Sequence, residues 1–324
     1  MTSVEKIQNL ITQFIESQDF MGVPSELYAP IDYTMRQGGK RMRPTLCLLA
    51  CEMFGGDINE CLIPAVAAEI FHNFTLIHDD IMDEAPLRRG LETVYHKWNS
   101  DIALLSGDTM LIKAFQYALK TNELYSQEIL VELCKVAVEV CEGQQYDLNF
   151  ETRNDVTLDE YIEMIRLKTA VLLGSVLKIG AIVASAGDAD KRTIYNFGID
   201  LGIAFQLQDD LFDCYGDVKI FGKMPGGDIA DNKKTYLYLK ALELASDEDK
   251  QLLEGYFSLP KGRDDNKMKA VLDIFAKYHV MEIVTDVMTS YYKKSLKSLD
   301  KISVSDDCKI VLRTYADHLY NRIK

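Results

Sequence analysis

The chain has no Cys-x-x-Cys pair and only five histidines, none at ligand spacing to other His or Cys, which excludes a zinc site. Its seven cysteines (47, 51, 61, 134, 141, 214 and 308) are odd in number and scattered. Such thiols serve as small apolar residues and predict a reducing compartment, the cytoplasm. Cationic charge is scarce: 36 Lys and Arg against 50 Asp and Glu give a net charge of −14 with no basic stripe, so nucleic acid is excluded as a partner. No cationic segment followed by an apolar run opens the sequence. Val4, Ile7, Ile11, Phe14 and Ile15 instead recur at helical spacing, which predicts an amphipathic first helix rather than a signal peptide. No run reaches the roughly 20 apolar residues of a membrane span. The nearest, Ala170 to Ala186, is interrupted by Lys178 and reads as a buried core helix. Alternating strand patterns with hairpin turns, a P-loop and a Gly-x-Ser-x-Gly elbow are also missing.

What the chain does have is helical periodicity nearly throughout, over 4–18, 25–36, 44–54, 60–82, 100–120, 126–150, 158–186, 190–214, 234–245, 247–257, 266–300 and 305–323. A hydrophobic content of 48% is ample for a large core. With no linker, low-complexity tract or solenoid repeat, the reading is one all-α domain over 1–324. Thr157-Leu158-Asp159-Glu160 has the pattern of a capping box. Two connections are longer and more polar than turns, Glu84 to Glu92 and Tyr215 to Lys234. Polar loops carried by rigid helices are common places for binding groups.

Both loops follow an Asp-Asp-x-x-Asp cluster: Asp79, Asp80 and Asp83, then Asp209, Asp210 and Asp213, 130 residues later. Positions i and i+4 of a helix lie about 5–6 Å apart, so the outer carboxylates of each cluster share a face. Massed carboxylates repel and stay ionised together only with cations between them. Oxygen ligands with room for water suit Mg²⁺ bridging a phosphate-bearing substrate. The basic knot Gly38-Gly39-Lys40-Arg41-Met42-Arg43-Pro44 combines close backbone approach with a point charge and a planar fork, the chemistry of an anion site or of a solvated face. His72 precedes Asp79 by two turns on nearly the same face, which brings it into line with the carboxylates. Arg88 and Arg89 follow Asp83 closely, as ion-pair partners or as ligands of a diphosphate.

The set Gly39-Lys40-Arg41-x-Arg43-Pro44, His72-x-x-x-Leu76-Ile77-His78-Asp79-Asp80-x-x-Asp83, Arg88-Arg89-Gly90, Lys168-Thr169, Phe205-Gln206-x-x-Asp209-Asp210-x-x-Asp213, Gly222-Lys223 and Asp228-x-x-x-x-Lys233 resembles the trans-isoprenyl diphosphate synthases, the polyprenyl synthetase family. The resemblance runs from about residue 38 to 235 and, more weakly, through the C-terminal part. It implies the isoprenoid synthase fold, about ten or more helices around a central cavity, in a homodimer. It implies condensation of isopentenyl diphosphate with an allylic diphosphate by ionisation, condensation and elimination. Three Mg²⁺ are implied, on Asp79, Asp83 and Asp209, with Asp80, Asp210 and Asp213 as further ligands. Arg88, Lys168, Lys223 and Lys233 would hold the allylic diphosphate, and Lys40, Arg43, His72 and Arg89 isopentenyl diphosphate. Thr169 and Gln206 would aim dipoles at the allylic cation.

The resemblance also implies a chain-length floor at Phe74, with Phe71 and the small Thr75 beside it, and a C20 or C15 product, C20 preferred. A class I terpene cyclase would lack the Lys40, Arg43 and His72 set and usually carries a different second metal motif. A non-catalytic subunit would have lost carboxylates, whereas all six are present. An EF-hand would need alternating oxygen ligands and a central Gly, which neither cluster has.

Overall fold

The computed structural model describes residues 2–216 and 225–321. The chain is helical almost throughout and forms two compact units. One comprises residues up to Lys135 with Ser175–Tyr195 and Ile302–Tyr315; the other comprises Val136–Gly174, Asn196–Lys301 and the chain from Ala316.

The first unit opens with α1 (Val4–Ser17), α2 (Ser25–Arg36) and α3 (Met42–Met53), and centres on α4 (Ile58–Met82). Cys61, Leu62, Val66, Ala68, Ile70, Phe71, Phe74 and Ile77 of α4 are all buried, and positions this close in sequence cover the whole helix circumference. A helix apolar on all sides belongs in the middle of a core. Among the described residues α4 is the one helix long and apolar enough to cross a membrane, and most of it is buried within the protein. The loop after α4 forms a two-residue-per-strand hairpin, β1 (Leu87–Arg88) and β2 (Leu91–Glu92), which the sequence pattern missed because it is too short to alternate. The short α5 (Val94–Lys97) leads into α6 (Ser100–Leu119). Gly107 of α6 lets that helix close on α4: a Cβ there would lie 2.3 Å from the His78 ring.

The unit boundary falls within α7 (Glu123–Thr152), α9 (Val171–Val183) and α10 (Asp188–Tyr215). In the second unit α8 (Leu158–Ile165) starts at the expected capping box, Thr157 accepting from the Glu160 N–H and Glu160 from that of Thr157. The single helix expected over 158–186 is interrupted by a π-turn, Arg166–Ala170. There follow α11 (Gly227–Ala230), α12 (Tyr236–Leu244), α13 (Asp247–Phe257), α14 (Asp265–Lys277), α15 (Val280–Asp300) and α16 (Asp306–Tyr320). The continuous helix expected over 266–300 is two, α14 and α15, broken where His279 takes a left-handed backbone. The Tyr278 hydroxyl is tied to Asp249 at 2.5 Å, a tertiary anchor that periodicity does not register.

Candidate active site

In the first unit the site grows from the end of α4. Asp79 and Asp80 occupy its last turn and Asp83 its C-cap, with no basic residue in that turn. Helix C-termini carry partial negative charge, so carboxylates there are unfavourable without a cation. Asp80 is buried and takes Arg88, whose Nε and Nη2 both reach its Oδ1 at 2.7 Å. Burial pushes the Asp80 carboxyl up from its usual range, and the Arg88 guanidinium partly offsets this. Arg88 keeps 30% of its side chain exposed, so an anion can still reach it. Asp79 is half-buried and Asp83 exposed.

The basic knot is built on a buried brace. Arg41 donates to Glu69 at 2.8 Å and to the Met35 carbonyl at 2.6 Å, both side chains almost fully buried. Removing one partner of such a pair costs on the order of 3–5 kcal/mol. Arg41 itself sits in the left-handed region as the N-cap of α3, which turns Lys40 outward and starts the helix two residues before Pro44. Arg43 donates to His72 Nε2 at 2.9 Å. Burial, and then the Arg43 charge, hold the His72 imidazole well below its ordinary value, so it is neutral. Arginine is a donor only, so Nε2 accepts and the ring proton sits on Nδ1. Arg89 donates to the Gly38 carbonyl at 2.8 Å, and a Cβ at Gly39 would meet its guanidinium at 2.7 Å. Lys40, Arg43, His72 and Arg89 therefore gather in one region of this unit. Below the cluster, Phe74 lies between Phe71, with centroids 5.5 Å apart, and His78, at 4.8 Å. The hydroxyl of Thr75 is turned back to the His72 carbonyl.

In the second unit two helix glycines seat the π-turn. A Cβ at Gly143 of α7 would lie 2.3 Å from the Lys168 backbone nitrogen, and one at Gly202 of α10 would lie 2.6 Å from Ala170 Cα. Such approaches tolerate no side chain. One helical turn beyond each glycine stands a polar group: Lys168 Nζ meets Asp147 at 2.5 Å, and the Thr169 hydroxyl donates to Gln206 Oε1 at 3.0 Å. Gln206 Nε2 continues to Asp210 Oδ1 at 3.1 Å, and the buried Tyr161 hydroxyl donates to Asp210 Oδ2 at 2.5 Å. Burial raises the Asp210 carboxyl to about 7, against the lowering effect of these donors. Asp147 and Tyr161 were not legible as site residues, because spacing alone does not connect them to Lys168 or Asp210.

Asp213, near the end of α10, accepts the Asp228 N–H on its Oδ2 at 2.8 Å and so pins the start of α11. No basic residue lies in the last turn of α10 either. Asp228 is pushed well up by burial and by Asp213. The chain then turns at Asn232, left-handed at φ 58°, into Lys233 and Lys234. Lys234 donates to carbonyls at the end of α7 and to Asn154 Oδ1. Lys223, expected at the allylic diphosphate, lies outside the described residues.

Among the described residues no three His, Cys, Asp or Glu side chains converge as a ready-made metal cage. The clusters instead offer hard oxygen donors in pairs, with the middle carboxylates Asp80 and Asp210 engaged by protein donors. This suits a hard divalent ion that keeps waters and completes its shell from substrate phosphates.

Comparison with known proteins matches residues 24–275 to the polyprenyl synthetase family model. The geranylgeranyl diphosphate synthase of Sulfolobus acidocaldarius is 35% identical over 306 residues, 93% of this chain and 92% of that protein. The geranylfarnesyl diphosphate synthase of Natronomonas pharaonis is 33% identical over 99% of both. A crystal structure of a geranylgeranyl pyrophosphate synthase superposes with a TM-score of 0.95 at 40% identity, covering 99% of each chain. Two aspartate clusters on the ends of apolar helices, the Arg43–His72 pair and the π-turn Lys168-Thr169 thus occur in a sequence that matches relatives along nearly its whole length, and the chain belongs to the polyprenyl synthetase family.

Proposed function

We propose that this protein is a Mg²⁺-dependent prenyltransferase that joins isopentenyl diphosphate to an allylic diphosphate and releases a short-chain trans-prenyl diphosphate. The observation that carries the reading is the massing of carboxylates toward the negative ends of two helices, a repulsion that bound cations would relieve. Asp79, Asp83 and Asp209 hold three Mg²⁺, with Asp80, Asp210 and Asp213 supporting them. When bound, the ions supply positive charge to the departing diphosphate.

The chain's own residues do the rest. Arg88, Lys168, Lys223 and Lys233 hold the allylic diphosphate as its negative charge grows. Lys168 is held by its ion pair with Asp147, and the Thr169–Gln206 pair presents fixed dipoles toward the carbon chain as it becomes cationic. Lys40, Arg43 and Arg89 hold isopentenyl diphosphate, with neutral His72 fixing Arg43 in its rotamer. The released diphosphate takes the proton that restores the double bond.

Phe74, wedged between Phe71 and His78, is the floor that ends chain growth at C20 or C15, with C20 favoured. The enzyme works as a homodimer in the cytoplasm, which agrees with its seven free cysteines. Product analysis by mass spectrometry tests the reading, with isopentenyl diphosphate plus dimethylallyl, geranyl or farnesyl diphosphate and Mg²⁺. The chain alone makes C20 or C15 products. Asp79→Ala and Asp209→Ala lose nearly all turnover while keeping the far-UV spectrum, and Phe74→Ala shifts the products longer. Near wild-type rates in either aspartate variant defeat the metal assignment, and an unchanged product range in Phe74→Ala removes the floor.

A further inference from the structure

Lys267 is among the largest fully buried side chains of the protein. It is the third residue of α14, in the first turn, where helix dipoles disfavour a cation. A methionine would fill the same volume without desolvating an ammonium. Its Nζ instead donates to Oδ1 of Asn232 and lies 5.4 Å from the centroid of the Phe257 ring.

Asn232 is the residue at which the chain reverses from α11 into Lys233. Its left-handed backbone is one that side chains other than glycine adopt sparingly, Asn most readily. Both ends of its amide are held: Oδ1 by Lys267, while Nδ2 donates to the Leu259 carbonyl at 2.7 Å. Two further contacts press the same segment against the start of α14. The Gly262 N–H donates to the Ala230 carbonyl at 2.9 Å, and Gly226 packs on the end of the Met268 side chain, whose Cε lies 1.7 Å from where a Cβ would stand. The residue after Asn232 is Lys233, and the next is Lys234, fastened to the end of α7. The backbone on either side of Lys233 is thereby tied to the buried Lys267, to the Leu259 carbonyl and to the end of α7.

We propose that Lys267 is a positioning residue: through Asn232 it sets the direction in which Lys233 leaves the backbone, and so the affinity for the allylic diphosphate. The inference rests on the reading of Lys233 as an allylic diphosphate contact. The test is steady-state kinetics of Lys267→Met, Asn232→Gly and Lys233→Ala, and of the combinations with Lys233→Ala. Asn232→Gly keeps the left-handed backbone and removes the amide, so it serves where Lys267→Met fails to fold. Either variant is expected to raise KM for the allylic diphosphate about tenfold with little change in KM for isopentenyl diphosphate. Neither should add to the loss already present in Lys233→Ala. A raised allylic KM in Lys233→Ala with an unchanged one in Lys267→Met and Asn232→Gly overturns the positioning role alone, as does an equal rise in both KM values. An unchanged allylic KM in Lys233→Ala overturns the assignment of Lys233 itself.

Discussion

His72 shows how far a residue's surroundings can alter its chemistry. In the sequence it stands two turns before an aspartate, beside a basic knot; in the fold it is a neutral acceptor for Arg43. A histidine whose folded value is depressed takes up its proton in the unfolded chain first. Folding stability is therefore lost as pH falls below about 6.5, the ordinary imidazole value, toward the lower folded one. His72→Gln keeps a side-chain acceptor and removes the titration. Thermal melts at pH 5 and 7.5 should show a smaller acid-induced drop in Tm for the variant than for the parent, and equal drops would contradict a depressed His72. The outer aspartates of the two clusters stand out in the sequence because residue type and i, i+4 spacing alone put like charges on one helix face. Arg41 was not separable from Lys40 and Arg43. Only the buried Glu69 and the Met35 carbonyl make it a brace.

At the scale of elements, periodicity located the helices and missed what interrupts them. The π-turn at Arg166–Ala170 lies within a run whose apolar pattern continues undisturbed. Its cause is steric and tertiary: backbone at Lys168 rests against Gly143, and Ala170 against Gly202. Nothing in a single sequence tells a glycine at a helix crossing from one merely tolerated. Gly143→Ala tests this directly. The substitution gains up to about 1 kcal/mol of helix propensity. That gain is opposed by overlap with the Lys168 backbone at 2.3 Å, and overpacking of this kind costs roughly 1–3 kcal/mol. The π-turn must move by close to 1 Å to relieve it, and misplacement on that scale lowers turnover by about 100-fold. A variant that melts slightly lower, keeps its KM for isopentenyl diphosphate and loses most of kcat is expected. Unchanged kcat would mean that the close seating of the π-turn has no part in catalysis.

For the molecule as a whole, the proposed dimer has a physical basis in exposed apolar residues of two helices of the first unit. Leu105, Ile112 and Leu119 of α6 recur every seven residues, as do Leu124 and Val131 of α7, and with Leu104 all are at least 49% exposed. Scattered exposed leucines are ordinary on a protein surface. Apolar residues repeating at the spacing of a helix–helix seam are not, and such a stripe marks an interface. A second copy packed on the α6 stripe through a two-fold axis would cover it in both copies, the commonest arrangement of homo-oligomers. Leu105→Glu with Ile112→Glu places charge where each side chain is already more than half exposed, so the isolated chain loses little stability. In the dimer the same charges would be desolvated. Light scattering should therefore find the parent at twice 36.8 kDa and the double variant at 36.8 kDa, both with the same helical spectrum. If parent and variant have the same mass, one chain or two, this stripe does not hold the copies together.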